Sequence, residues 1–224
     1  MGPIHLLGLE MPLSVRKKFI FVHIPKNAGS TLTLLWHDHF QLNGRNSKWR
    51  RFTSNFPIKE DENKLCVRGH DSAAWLKVKL GSDKFDEFYK FAFSRNPYSR
   101  AISAYEYLRQ REEHKRNKRV TNLEFEEFIS DRAFRYSTQE KMVCDRDGRI
   151  LVDDIFKVEQ FDNLIGPLCK KLKITKPKTI QPANTSKRKP LEEYLSPKAV
   201  RIIQDTFAKD FEIFEYSKSI DALI

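Results

Sequence analysis

One stretch limits the fold more than any other: residues 17–31, KKFIFVHIPKNAGST. Residues 17–24 are mostly apolar and read as a buried strand. A turn of small residues follows. Residues 30–40, STLTLLWHDHF, then read as a helix with Leu32, Leu35 and Trp36 on its apolar side. A strand that runs through a tight turn into a helix belongs to an α/β architecture. It also gathers backbone N–H groups at one spot, where the helix dipole adds positive potential and anions bind.

The alternation continues along the chain. Residues 64–70, KLCVRGH, read as a second strand and 72–80 as a short helix. Residues 88–95, FYKFAFSR, read as a third strand. Asn96 as N-cap and Pro97 as first helical residue then open a helix with Ala101, Ile102, Tyr105 and Leu108 as its apolar stripe. The mixed-charge run 109–119 is expected to be the solvated end of that helix. Further helices are expected over 122–129, over 162–174 with an interruption near Gly166-Pro167, and over 196–214 with Ser196 as cap. Two short strand-like pieces fall within 149–161, and 41–63 and 176–190 read as polar loops. The pattern predicts an α/β fold, a central and mainly parallel β-sheet flanked by helices. One domain over 1–224 is expected, with 1–16 as an N-terminal extension.

Lys and Arg number 41 against 30 Asp and Glu, a net charge of +11. That balance implies an anionic partner: nucleotide, acidic polysaccharide, nucleic acid or membrane surface. Cys66, Cys144 and Cys169 are far apart and include no C-x-x-C pair, so buried reduced thiols are expected rather than a disulfide scaffold or zinc cluster. The first residues lack a basic start, and Glu10 and Pro12 break their short apolar run, so no secretory signal is read. No stretch is long enough to span a bilayer. A soluble, cytoplasmic chain without an integral membrane segment is the expectation.

Within the opening loop, Ala28 and Gly29 keep side chains out of the way, Ser30 and Thr31 offer hydroxyl donors, and Lys26 adds a full charge. A nucleoside-triphosphate loop puts its lysine after the last glycine; here Lys26 precedes Gly29. The plainer alternative is a tight turn with a surface lysine.

A second constellation, SRNPYSRAISAY over 94–105, also sits at a strand end before a capped helix. From Asn96 to Ser103 is about two helical turns, roughly 10 Å along the axis. Arg95 and Ser103 are therefore candidates to meet one anion, Arg with a fork of donors and Ser with a rotatable hydroxyl. Alternatively Arg95 pairs with a carboxylate and Ser103 bonds back to its own helix. Two anion sites at strand ends suit a ligand with two separated phosphates, and ligands of open α/β sheets gather at the carboxyl ends of strands.

HIPKNAGST resembles the 5′-phosphosulfate loop of sulfotransferases that use 3′-phosphoadenosine 5′-phosphosulfate (PAPS), and FSRNPYSRAISAY resembles their 3′-phosphate motif. The carbohydrate-type branch (sulfotransferase family 2-like) and its bacterial relatives are the most similar, and NTSKRKPLEEYLSPKAVRIIQDTFAKDFEIFEY is similar to that branch's C-terminal region. The resemblance runs from about residue 18 to 216. It implies a P-loop-like sulfotransferase fold. It implies that Lys26 contacts the bridging oxygen of the phosphosulfate, with backbone amides of Asn27, Ala28, Gly29, Ser30 and Thr31 around the 5′-phosphate. Arg95 and Ser103 would hold the 3′-phosphate. The basic loop at Lys187, Arg188 and Lys189 would close over the nucleotide.

The family's base is often a histidine or glutamate on an early strand or loop, and His70 is expected at the end of the second strand. Imidazole titrates near neutrality, which suits the task. A capping or surface histidine is the bland alternative. Glu60, Asp61 and Glu62 are a weaker source of base, and His23, within its strand, is expected to be structural. The expected chemistry is transfer of the sulfuryl group from PAPS to an acceptor hydroxyl, on a carbohydrate that can be anionic, with no metal required. The rivals are a kinase-like phosphotransferase and a non-catalytic binder of an acidic polymer; nucleic acid is not an expected partner.

Overall fold

The computed structural model describes residues 13–40, 55–62, 69–131, 137–176 and 188–223. In chain order the elements are β1 (Leu13–Ser14), β2 (Phe19–Val22), α1 (Gly29–Leu35), α2 (Ala73–Leu80), α3 (Ser82–Asp86) and β3 (Tyr89–Ser94). They continue with α4 (Pro97–Arg109), α5 (Asn117–Val120), α6 (Phe125–Ser130), α7 (Glu140–Val143), β4 (Asp154–Lys157), α8 (Phe161–Lys171), α9 (Pro197–Thr206) and α10 (Ala208–Ile213). The chain forms two compact units: residues 1–93 with 141–183, and residues 94–140 with 184–224.

The first unit holds an α/β sheet in the order β1-β2-β3-β4. β2 and β3 pair in parallel, from Phe19 opposite Tyr89 to Val22 opposite Ala92. Every residue of β2 is buried, as expected of a parallel strand covered on both faces. Its phenylalanines and those of β3 build the core: Phe21 stacks on Phe91 at 5.3 Å, and Trp36 meets Phe91 edge-on at 6.1 Å. Leu32 from α1 and Ile165, Leu168 and Cys169 from α8 close the cluster. Each such side chain contributes about 1.5–3 kcal/mol when fully buried.

Several boundaries differ from the sequence reading. β1 lies inside the stretch expected as an extension: Leu13 and Ser14 pair antiparallel with Ile20 and Phe19, which gives the edge of β2 backbone partners. Helix α1 ends at Leu35 rather than 40, because Trp36 leaves helical dihedrals (φ −122°, ψ 20°) as its ring enters the core. Helix α8 runs unbroken through Pro167. Its buried Ile165, Leu168 and Cys169 hold it against the sheet, and that packing outweighs one lost N–H donor. Of the strand expected over 64–70, residues 64–68 lie outside the described residues, and Gly69 and His70 form a turn. Most of the basic loop expected over 176–190 also lies outside them.

The second unit packs helices around α4. The Asn96 side chain accepts from the Tyr98 N–H at 3.0 Å, and Pro97 occupies the first turn, as the sequence requires. Ala101, Ile102, Tyr105 and Leu108 are buried, but so are Arg100, Ser103 and Glu106. Helix α4 stops at Arg109, short of the expected solvated extension. The Asn117 amide caps it, donating to the carbonyls of Leu108 and Arg109 at 2.9 Å each. The helix expected over 196–214 divides at Phe207 (φ −114°, ψ 28°) into α9 and α10. Cys144 and Cys169 are buried free thiols. Among the described residues no helix is long and apolar enough to cross a membrane.

Candidate active site

The loop between β2 and α1 departs from ordinary backbone at two points. Lys26 (φ 73°) and Ala28 (φ 59°) both adopt the left-handed conformation. For a residue with a Cβ this costs on the order of 1–2 kcal/mol each, and such strain gathers where a backbone must serve a ligand. The result is a tight reversal that ends on the amides of Gly29, Ser30 and Thr31. The first helical hydrogen bond runs from Leu32 N–H to Ala28 O at 3.1 Å, so these three amides precede the helix's own bonding. The first turn of α1 contains no acidic residue.

The Asn27 N–H donates to Ile24 O at 3.3 Å, and its side-chain amide donates to Phe93 O at 2.6 Å. The backbone N–H and one side-chain N–H are thus bonded within the protein, and Asn27 ties the loop to the end of β3.

His23 and His70 meet at this loop. Their ring centroids are 4.4 Å apart, and the His23 ring also stacks on Phe21 at 5.5 Å. The His23 ring covers Gly29 so closely that a methyl group on Gly29 would lie 1.7 Å from His23 Nε2. Burial, with the neighbouring His70 and Lys26 charges, lowers the His23 pKa from 6.5 to about 3, so its imidazole stays neutral. His23, expected to be a strand residue, is thus a wall of the loop. The sequence signal was its position immediately before Ile24-Pro25, where the strand is already ending.

His70 is exposed, and its Nδ1 lies 3.2 Å from His23 O. A carbonyl oxygen can only accept, so Nδ1 carries a proton. In the neutral imidazole Nε2 then holds the lone pair and can take a proton. Of the rival carboxylates, Glu60 and Glu62 are engaged with lysines. Glu60 forms an ion pair with the buried Lys79, and Glu62 lies 3.3 Å from Lys18 and 3.5 Å from Lys84. Among the described residues no group of three or more His, Cys, Asp or Glu is placed to hold a metal ion.

The second motif lies in the second unit. Gln139 clamps the backbone of Arg95 on both sides: Arg95 N–H donates to its Oε1 at 2.9 Å, and its Nε2 donates to Arg95 O at 2.8 Å. Gln139 is held in turn by the fully buried Asp210, whose carboxylate accepts from the N–H groups of Gln139 and Glu140 at 2.9 Å each. Burial raises the Asp210 pKa, although both N–H groups and Arg100 oppose the rise. Ser103 sits two turns into α4 and is buried. Glu106, one turn further on, is buried as well and accepts from Tyr194. Arg188 is exposed and near that pair: desolvation lowers its pKa against the opposing pull of Tyr194 and Glu106. Gln139, Asp210 and Tyr194 had no distinctive spacing in the sequence.

The sequence profile of the sulfotransferase family matches residues 11–217. The chain belongs to that family, and its class of reaction is sulfuryl transfer. Neither the search of curated proteins nor that of solved structures returned a match.

Proposed function

We propose that this chain moves the sulfuryl group of PAPS to a hydroxyl of a carbohydrate acceptor by in-line displacement. The observation that carries the proposal is the strained loop: Lys26 and Ala28 in left-handed conformation, before three amides that no helical bond uses, in a chain of the sulfotransferase family. Gly29, Ser30 and Thr31 take the 5′-phosphate end, and Arg95, Ser103 and Arg188 take the 3′-phosphate. The acceptor oxygen attacks sulfur, its proton passes to His70 Nε2, and the bond from sulfur to the bridging oxygen breaks. Charge grows on that oxygen as adenosine 3′,5′-bisphosphate leaves, and Lys26 neutralises it. Preorganised charge of this kind is a large term in group transfer, and in-line positioning supplies much of the rest. The net charge of +11 favours an anionic saccharide.

The test is titration followed by turnover. Adenosine 3′,5′-bisphosphate should bind without magnesium, and labelled sulfate should move from PAPS to one of a panel of saccharides. Preference for ATP with magnesium, or binding without any turnover on the panel, would overturn the proposal.

A further inference from the structure

The donor segment that carries Arg188 is fastened to α4 by one hydroxyl. Tyr194 OH donates to Glu106 Oε1 at 2.8 Å and accepts from the backbone N–H of Lys189 at 3.0 Å. Tyr194 is itself buried, with its ring edge-on to Phe125 at 5.4 Å and to Tyr105 at 6.3 Å. Glu106 is fixed from its other side: the Gln110 amide donates to Oε2 at 2.7 Å, and Arg109 lies 3.5 Å from Oε1. The hydroxyl therefore joins a rigid helix to the peptide next to Arg188.

Glu106 follows Ser103 by three positions on α4, so the two lie on one helix face a turn apart. Ser103 is buried. We infer that the Glu106–Tyr194 pair is a positioning latch: it holds the 188–190 backbone over the helix face that presents Ser103, so that Arg188 and Ser103 address the same phosphate. The inference rests on the reading of that face as the 3′-phosphate site. It assigns to Glu106 and Tyr194 a part in nucleotide selection, through the peptide they hold rather than by contact with the ligand. A buried carboxylate one turn from an anion site is otherwise unfavourable there; its partners on both oxygens account for its presence.

The test compares two nucleotides on two variants. Tyr194→Phe keeps the ring and its packing and removes only the hydroxyl. It should weaken adenosine 3′,5′-bisphosphate binding by about 5- to 10-fold, the scale of one hydrogen bond, and leave adenosine 5′-monophosphate binding unchanged. For PAPS, KM should rise with kcat nearly retained. Glu106→Gln, which keeps an acceptor for Tyr194, should lose less. Unchanged selectivity between the two nucleotides in Tyr194→Phe would overturn the latch. So would equal weakening of both nucleotides with a lowered melting temperature, the mark of a merely structural pair. If the unsubstituted protein binds neither nucleotide, the sulfotransferase site reading itself fails, and the latch with it.

Discussion

Gly29 and His23 are in such close contact that the loop has no room for a side chain between them: a Cβ on Gly29 would fall 1.7 Å from Nε2 and 2.1 Å from Cδ2 of the imidazole. Gly29 does not need a left-handed backbone, so the constraint is space alone. Gly29→Ala must therefore push the ring off Phe21 and His70. A loss of about 1–3 kcal/mol is expected, the usual range for overpacking. In a His23→Ala background the same substitution should become neutral or mildly stabilising, by up to about 1 kcal/mol, because alanine is the better helix former. Chemical denaturation of the four proteins measures the cycle. Additive losses would mean that the two residues do not share the space.

A second consequence follows from the neutral His23. Its folded pKa is lowered, so the unfolded chain takes up a proton near pH 6.5 and the folded chain only near 3. The sign is then set: stability is unaffected by this group above pH 6.5 and falls as pH drops below it. Between pH 6.5 and 5 the loss amounts to up to about 2 kcal/mol. Stability measured across that window should fall less steeply in His23→Gln than in the unsubstituted protein. Equal slopes would show that His23 titrates normally in the fold.

His70 offers a cleaner separation of binding from chemistry. His70→Asn can keep a donor to His23 O in place of Nδ1 but has no counterpart of Nε2. Turnover should fall by about 10²–10⁴-fold, the range for loss of a general base, while adenosine 3′,5′-bisphosphate binds as before. Turnover within a factor of a few of the unsubstituted protein would assign the base elsewhere.

What could be read in the chain, and what could not, divides along the range of the interactions. Strands β2 and β3 are runs of phenylalanine and other apolar residues bounded by turns, and the caps Asn96 and Ser196 each bond a backbone N–H two or three residues on. Local rules were enough for these. The brace on Arg95 is different: Gln139 reaches it across 44 positions, and Asp210 reaches Gln139 across 71. A lone Gln or Asp carries no mark of such a partner. The end of α4 is set in the same way, since Asn117, eight and nine residues on, stops a helix whose composition would continue. His23 is structural, as its strand position suggests, but a strand pattern says nothing of which turn of the neighbouring loop its ring faces.

That brace is itself testable. Gln139→Ala leaves the N–H and C=O of Arg95 without their clamp and frees its backbone. Affinity for adenosine 3′,5′-bisphosphate should fall about tenfold, the equivalent of about 1.4 kcal/mol, as read by calorimetric titration. Asp210→Asn acts one link further back. It turns one of two acceptor oxygens into a donor facing a backbone N–H, and should cost about 2–3 kcal/mol of stability. Undiminished affinity in a folded Gln139→Ala protein would remove Gln139 from the site.

Lys26 sets stability against function at a single position. Its left-handed backbone (φ 73°) is strained for lysine and natural for glycine. Lys26→Gly should therefore raise the stability of the folded chain by about 1 kcal/mol, the relief of one such conformation. The same change deletes the charge assigned to the bridging oxygen, and turnover should drop by about 10²–10³-fold, the scale of one lost oxyanion contact. Lys26→Ala removes the charge and keeps the strain, so it should match the glycine variant in turnover and the lysine in stability. Thermal melts and initial rates on the three proteins decide the matter. A glycine variant that is more stable and fully active would show that the strain is only a feature of the turn, and that Lys26 has no part in the chemistry.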